Sequence, residues 1–455
     1  MTTDPHPSDT LRAQLIGSVL APSDAGYDDA RRVHNGMIDR RPALVARGYG
    51  TADVQAAVRF ARERGLEIAV RGGGHNVAGN AVTDGGIMID LSAMRAVHVD
   101  SRARRARAQG GATWGDYNRE TQLYALASTG GVVSTTGVGG LTLGGGLGWL
   151  MGKYGMAVDS LRAVELVTAT GEVVRASAEE HPDLFWAVRG GGGNFGVATW
   201  LEYELYPVGP MVTGGLVAHP FSAARDVLRF YRDFTASLPD ELTAFAGLLH
   251  APDGSGVKLA GIIVCYAGSL EAGAAAVGPV KRFGSPVMDV IGPMPYSAVN
   301  TLFDAGFPRG AHNYWKSNFL AALSDGAIDT MIDRFAAAPS PMSGLLLEHF
   351  HGAATRVGPT ETAFPHRTVG YNFLTVSEWL DASATPANVA WARDAYGAMA
   401  PHFTAGRYVN YLNADEVGED TAIAAAFGPN GKRLREVKRK YDPDNAFHLN
   451  QNIKP

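Results

Sequence analysis

Hydrophobic and polar positions change period several times in the first 200 residues, and each change marks an element. Ala43-Leu44-Val45-Ala46 reads as a short strand. Residues 52–64 follow with Val54, Ala57, Val58 and Ala61 at three- and four-residue spacing, which predicts a helix capped by Thr51 and stopped by Gly65. Glu67-Ile68-Ala69-Val70 and Gly86-Ile87-Met88-Ile89-Asp90-Leu91 are the next two strands. Strand and helix continue at 104–108 and 114–126, and 161–168 with 172–176 flank a Thr170-Gly171 turn as a hairpin. Helical stretches at 223–237 and 329–337 then lie between strand-like runs. One such run, Leu345-Leu346-Leu347-Glu348-His349-Phe350-His351, puts Glu348 and Phe350 on one face and His349 and His351 on the other.

At 455 residues the chain exceeds one ordinary core, and two domains are expected. Composition shifts near Pro207 and Pro210, and motif-dense sequence returns at Tyr408. The expected division is therefore 1–209 with 408–455, and 210–407. The 56 glycines are clustered, eleven of them between Gly130 and Gly155 and five between Gly190 and Gly196, which marks sites rather than disorder. A net charge of −5 without a long basic run speaks against nucleic acid or an anionic membrane as partner. The single cysteine, Cys265, sits in an apolar run and excludes both an intrachain disulfide and a cysteine-based metal cluster. Residues 1–10 lack a signal-peptide pattern, and no apolar stretch of ~20 residues occurs, so a cytoplasmic protein, monomer or homodimer, is expected.

Three glycine runs carry the candidate chemistry. Arg71-Gly72-Gly73-Gly74-His75-Asn76 ends a predicted strand. Gly137-Val138-Gly139-Gly140-Leu141-Thr142-Leu143-Gly144-Gly145-Gly146-Leu147-Gly148 and Arg189-Gly190-Gly191-Gly192-Gly193-Asn194-Phe195-Gly196-Val197 follow. Glycines let backbone N–H groups approach a phosphate-bearing cofactor closely. This is not the dinucleotide fingerprint of a Rossmann unit, because Gly139-Gly140 is not expected to open a helix after a buried parallel strand and no acidic residue stands ~20 positions on in a βαβ context. Near the C-terminus stands Tyr408-Val409-Asn410-Tyr411-Leu412-Asn413, and later Asn450-Gln451-Asn452-Ile453.

Together these motifs resemble the FAD-linked oxidases of the berberine bridge enzyme-like family, within the vanillyl-alcohol oxidase type of flavin fold, over essentially the whole chain. The resemblance implies an α+β protein: an FAD-binding domain of two α/β subdomains, and a substrate domain whose antiparallel sheet, flanked by helices, roofs the flavin. It implies FAD bonded covalently through His75 to the flavin 8α carbon. The family's second, cysteinyl link has its place at Val133 here, so a singly tethered flavin is implied, as in bacterial members.

The same resemblance assigns cofactor contacts to Arg71, Gly72, Gly73, Gly74 and Asn76, and pyrophosphate contacts to Ser134 and Thr135 through to Gly139 and Gly140. It extends them along Gly144, Gly145, Gly148 and Trp149 (the last as packing), gives Val197 the adenine or ribose end, and places Tyr408, Asn410, Asn413, Asn450 and Asn452 around the flavin. Thr136 falls near the oxygen-reactive face, with a hydroxyl satisfied by its own loop as the alternative reading.

Tyr411 matches the tyrosine that serves some members as base, which requires a pKa below the usual ~10, or else it only hydrogen-bonds the cofactor. Glu348 is the second acid–base candidate, since burial would raise its pKa; a surface glutamate is the alternative. Lys316 and Arg367 are expected in structural ion pairs, with contact to an anionic substrate as the alternative, and Tyr314, Trp315, Phe319, Phe350, Tyr371 and Phe373 around an aromatic or partly apolar substrate. No metal is expected, as His349 and His351 have no third ligand nearby. The implied reaction is hydride transfer from a small alcohol, amine or phenol to flavin N5, with O2 as acceptor giving H2O2. A flavin N5-oxide oxygenase, a dehydrogenase using another acceptor and a flavin-binding protein without turnover are the alternatives.

Overall fold

The computed structural model describes residues 7–416 and 420–455; the first six positions of the N-terminal stretch read for a signal lie outside the described residues. Among the described residues no helix is long and apolar enough to cross a membrane.

Three larger sheets organise the described residues, beside a two-stranded one of Leu126–Ala127 and Tyr206–Pro207. The first has the order Ser18–Leu20, Leu44–Arg47, Ile87–Asp90, Ile68–Arg71. Leu44–Arg47 and Ile68–Arg71 both run parallel to Ile87–Asp90, and the helix Thr51–Glu63 makes the crossover. Val54, Ala57, Val58 and Ala61 are the helix positions buried against this sheet, as their spacing requires. Thr51 is the first helical residue rather than the cap, since Gly50 takes that place and the Thr51 hydroxyl donates to Glu165 Oε1 at 2.7 Å.

The second sheet is antiparallel, in the order Val97–Asp100, Arg105–Gln109, Val197–Glu204, Leu161–Val167, Val173–Ser177. Its last two strands form the expected hairpin. The helix expected over 114–126 stops at Thr121; a 3-10 turn and the strand Leu126–Ala127 complete the stretch. Gly139 and Gly140 lie in a short helix, Val138–Leu143, but the strand before it, Leu126–Ala127, pairs antiparallel with Tyr206–Pro207, so the helix does not follow a parallel strand.

The third sheet is built from 211–379 and is antiparallel throughout: Met288–Asp289, Met211–Pro220, Lys258–Tyr266, Leu242–His250, Gly344–Phe350, Gly370–Trp379, His312–Leu320, with Gly292–Pro295 also on Met211–Pro220. One face buries Tyr231, Ile328, Phe335 and Ala395 from the helices Ala224–Thr235, Asp325–Ala336 and Thr385–Met399. The other face looks back toward the glycine runs. The fold is thus α+β, with two small sheets before the larger helix-flanked one.

The C-terminal stretch returns to the first part of the chain and locks it. Lys438, fully buried, donates to Asp442 Oδ2 (2.6 Å) and to the carbonyls of Asn194 (2.7 Å) and Phe447 (2.8 Å). Asn194 in turn donates to the carbonyls of Gly191 and Gln451 and accepts from Ile453 N–H. The third glycine run is therefore held by groups that arrive some 250 positions later.

Candidate active site

A cleft of about 1900 Å³, counting its open mouth, runs between the first two sheets and the free face of the third. The three glycine runs form one wall: residues 72–74, 137, 139, 140, 192, 193 and 196 all line it. Two of the runs touch backbone to backbone, for a Cβ on Gly73 would stand 2.4 Å from Gly137 N. Any side chain there would force them apart. Gly140 faces empty space within the cleft and leaves its backbone open to it.

His75 enters the cleft directly after Gly74, whose φ of +71° suits glycine and turns the chain inward. Its ring stacks on His34 (centroids 3.9 Å apart, planes 21° from parallel), and its Nε2 lies 2.8 Å from Thr135 Oγ1. Burial, with lesser help from His34 and Arg309, pushes its pKa down to about 3. The imidazole is therefore neutral at physiological pH and keeps a lone pair. A neutral imidazole, exposed glycine backbone and an elongated, largely apolar cleft are what a flavin dinucleotide requires, and the donor set fits one.

The roof comes from the third sheet. Phe245, Glu348 and Asn372 lie side by side across three strands, in register with one another. Glu348 faces the cleft yet is buried. Its carboxylate accepts from Asn372 Nδ2 at 2.7 Å and from the Tyr411 hydroxyl at 3.1 Å. Burial raises its pKa to about 7, the two hydrogen bonds holding it from going higher. Burial first, then the facing Glu348 carboxylate, pushes Tyr411 well above the ordinary tyrosine value. Asn372 Oδ1 has no partner among the described residues. An amide flip would let it accept a hydrogen bond from neutral Glu348, so one side chain serves both ionisation states.

Val133, Thr136, Val197, Tyr408, Asn410, Asn450 and Asn76 also line the cleft. Tyr408 accepts from Gly146 N–H at 3.0 Å and Asn410 donates to Leu141 O at 2.9 Å, so these two secure the second glycine run from the C-terminal side.

Other expected residues are placed elsewhere. Arg71 turns away to grip Asp90 (2.9 and 2.5 Å), which Arg47 also holds. Burial pulls Asp90 upward, but the two arginines outweigh it and keep the carboxyl below its usual range. Ser134 has both its N–H and its hydroxyl taken by Asp304, and Thr135 is exposed with its hydroxyl on His75, so neither hydroxyl stands free for a pyrophosphate. Gly144, Gly145 and Gly148 lie behind the wall, where a Cβ would meet Asn410, Phe364 or Gly130 O. Trp149 is buried packing against Phe245 and Phe303. Asn413 donates to Trp315 O, and Asn452 stays off the lining that its neighbours Asn450 and Gln451 join.

Lys316 pairs with Asp415 and Glu416, and Arg367 grips Asp159 with two nitrogens. Of the six expected substrate-side aromatics only Trp315 lines the cleft. Tyr371 and Phe373 point to the helix face of the sheet, as period two demands once Asn372 points to the cleft. Phe245, Phe303, Phe307 and Gln451 are lining residues for which the sequence carried no signal beyond apolarity or a flanking motif.

The fold and cleft define a flavoprotein of the type in which a glycine-lined wall and a sheet roof enclose the cofactor. Comparison with known proteins bears this out. A family profile described as an FAD binding domain matches residues 42–177, and one described as berberine and berberine like matches 407–454. The (R)-6-hydroxynicotine oxidase of Paenarthrobacter nicotinovorans is 34% identical over 97% of this chain and 97% of its own. Tetrahydroberberine oxidase of Berberis wilsoniae is 29% identical over 91% of this chain and 86% of its own. The solved structure of 6-hydroxy-D-nicotine oxidase from Arthrobacter nicotinovorans superposes with a TM-score of 0.88 at 32% identity, covering 97% of this chain and 98% of that one. The chain belongs to the berberine bridge enzyme-like family of FAD-linked oxidoreductases.

Proposed function

We propose that the protein is an oxidase that carries FAD on a single covalent bond to His75 and oxidises a small to mid-sized alcohol, amine or phenol, with Glu348 as proton acceptor. The observation that carries this reading is the buried Glu348 carboxyl, with a pKa near 7, on the roof of the same cleft that holds His75. FAD held there would supply a two-electron acceptor for the substrate hydride, with O2 as the terminal acceptor. Glu348 takes the O–H or N–H proton that must leave as the hydride leaves. The Tyr411 hydroxyl, held as a donor to Glu348, orients that carboxylate rather than serving as the base. The apolar roof excludes water around the carboxylate and keeps its basicity matched to neutral pH. The division into an FAD-binding domain (1–209 with 408–455) and a substrate domain (210–407) fits the sheet boundaries and belongs to the same proposal.

Two measurements test it. Because a carboxylate with a raised pKa is ionised only above that value, kcat/KM for an oxidised substrate should rise with pH to a plateau through about 7. Glu348→Gln should abolish that limb and lower kcat by roughly 10²–10⁴-fold. An unchanged profile in the variant removes Glu348 from the reaction. The tether is read separately: flavin fluorescence should remain on the denatured wild-type chain and be absent from His75→Ala.

A further inference from the structure

Two aromatic runs converge on Glu348, and their outer ends lie on one short segment. On one side Phe245, opposite Glu348 in register, packs on Trp149 (5.0 Å), which lies nearly parallel to Phe303 (5.9 Å, 17°). On the other, Tyr411 meets Trp315 edge-on (5.8 Å, 72°), and Trp315 meets Phe307 edge-on (5.7 Å, 70°). Phe303 and Phe307 are half-buried and line the cleft from segment 300–311, which joins the helix Tyr296–Val299 to the strand His312–Leu320. Between them Asp304 accepts both the N–H (2.9 Å) and the hydroxyl (2.5 Å) of Ser134. Asn300 donates to Gly131 O, and Gly310 N–H donates to the carbonyl of His34, whose ring stacks on His75, at 2.9 Å, so the segment is pinned at both ends.

We propose that segment 300–311 sets substrate specificity. Phe303 and Phe307 bound a slot for a planar aromatic ring bearing the O–H or N–H that Glu348 deprotonates, and Asp304 is a positioning residue that fixes the slot's width through Ser134. This rests on the reading of Glu348 as proton acceptor. The remaining roof side chains, Ile263, Leu346 and Leu374, are apolar. Among the described residues no lysine or arginine lines the cleft, so nothing there pairs a substrate carboxylate. A puckered polyol would leave most of its hydroxyls without partners against these walls. A flat ring instead meets aromatic faces and edges, each well-oriented contact being worth roughly two- to tenfold in affinity beyond simple burial.

The test titrates the flavin-loaded protein with 2-naphthol and with trans-2-decalol, which share a carbon count and a hydroxyl but differ in planarity, following the flavin's visible absorption. Wild type should bind 2-naphthol about tenfold more tightly or better. Phe307→Leu and Asp304→Ala should each cut that preference to about threefold or less by weakening 2-naphthol alone, at unchanged flavin content. Asp304→Asn, which keeps an acceptor for Ser134 N–H, should retain most of it. A wild type without preference overturns the proposal, as does full preference in both Phe307→Leu and Asp304→Ala. Glu348→Gln should keep the preference whatever it does to the pH profile, so the slot and the proton acceptor fail separately.

Discussion

Glu348 and Tyr411 share one hydrogen bond, and the environment decides which of them ends with the proton. Burial raises both, but the carboxyl starts low enough to reach about 7, whereas the phenol moves further from any useful range. Tyr411 then matters through what it does to its neighbour. Its O–H stabilises the ionised carboxylate, so Tyr411→Phe removes a lowering influence and Glu348 should titrate higher. A hydrogen bond to a charged group is worth about 1.5–3 kcal/mol, so the kcat/KM limb should move up by roughly one to two pH units, with activity at high pH largely recovered. A Tyr411→Phe profile that keeps its midpoint and loses its plateau would instead make the phenol the base.

At the scale of elements, the cofactor wall depends on clamps from outside it. Lys438, on the helix Gly431–Tyr441, holds the 190–196 run through Asn194 while paired with Asp442. Lys438→Met would leave Asp442 and two carbonyls short of a donor in the interior. Breaking such a buried pair costs about 3–5 kcal/mol, which urea unfolding should register, together with weaker retention of flavin in a protein also lacking the His75 link. The sequence made the parallel unit 44–90 and the loop presenting His75 legible, because apolar period and glycine placement agree there. Period two along 344–350 likewise put Glu348 and Phe350 on one face. It could not reveal that Asn372 stands beside Glu348, since that follows from the register of two strands with 19 residues between their ends, nor that Ser134 is claimed by Asp304. Phe303 and Phe307 sit in a stretch without periodicity, where nothing distinguishes a wall from a loop. Arg71 misled because an arginine beside a glycine run suits a phosphate as well as it suits Asp90, and only the parallel register Arg71↔Asp90 decides between them.

For the whole molecule, the cleft is a joint product of distant parts: glycine runs near 73, 137 and 193, a roof from 245 to 374, and the tail from 408 to 451. Removing residues 438–455 deletes no glycine of the wall, yet it takes away Lys438, Asn450 and Gln451 together. Purified chain ending at residue 437 should be colourless when produced beside a yellow full-length control, and equimolar flavin in it would show the wall to be self-supporting.

The clamp on Asn194 also orders events in time. Residues 438–453 emerge from the ribosome after all three sheets, and until they do the third glycine run has neither its lysine anchor nor its partners from Gln451 and Ile453. A nascent chain can finish its first two sheets and still be unable to grip a prosthetic group. Loading should thereby wait until residues 438–453 have been made, and a chain terminated before them should not sequester the coenzyme.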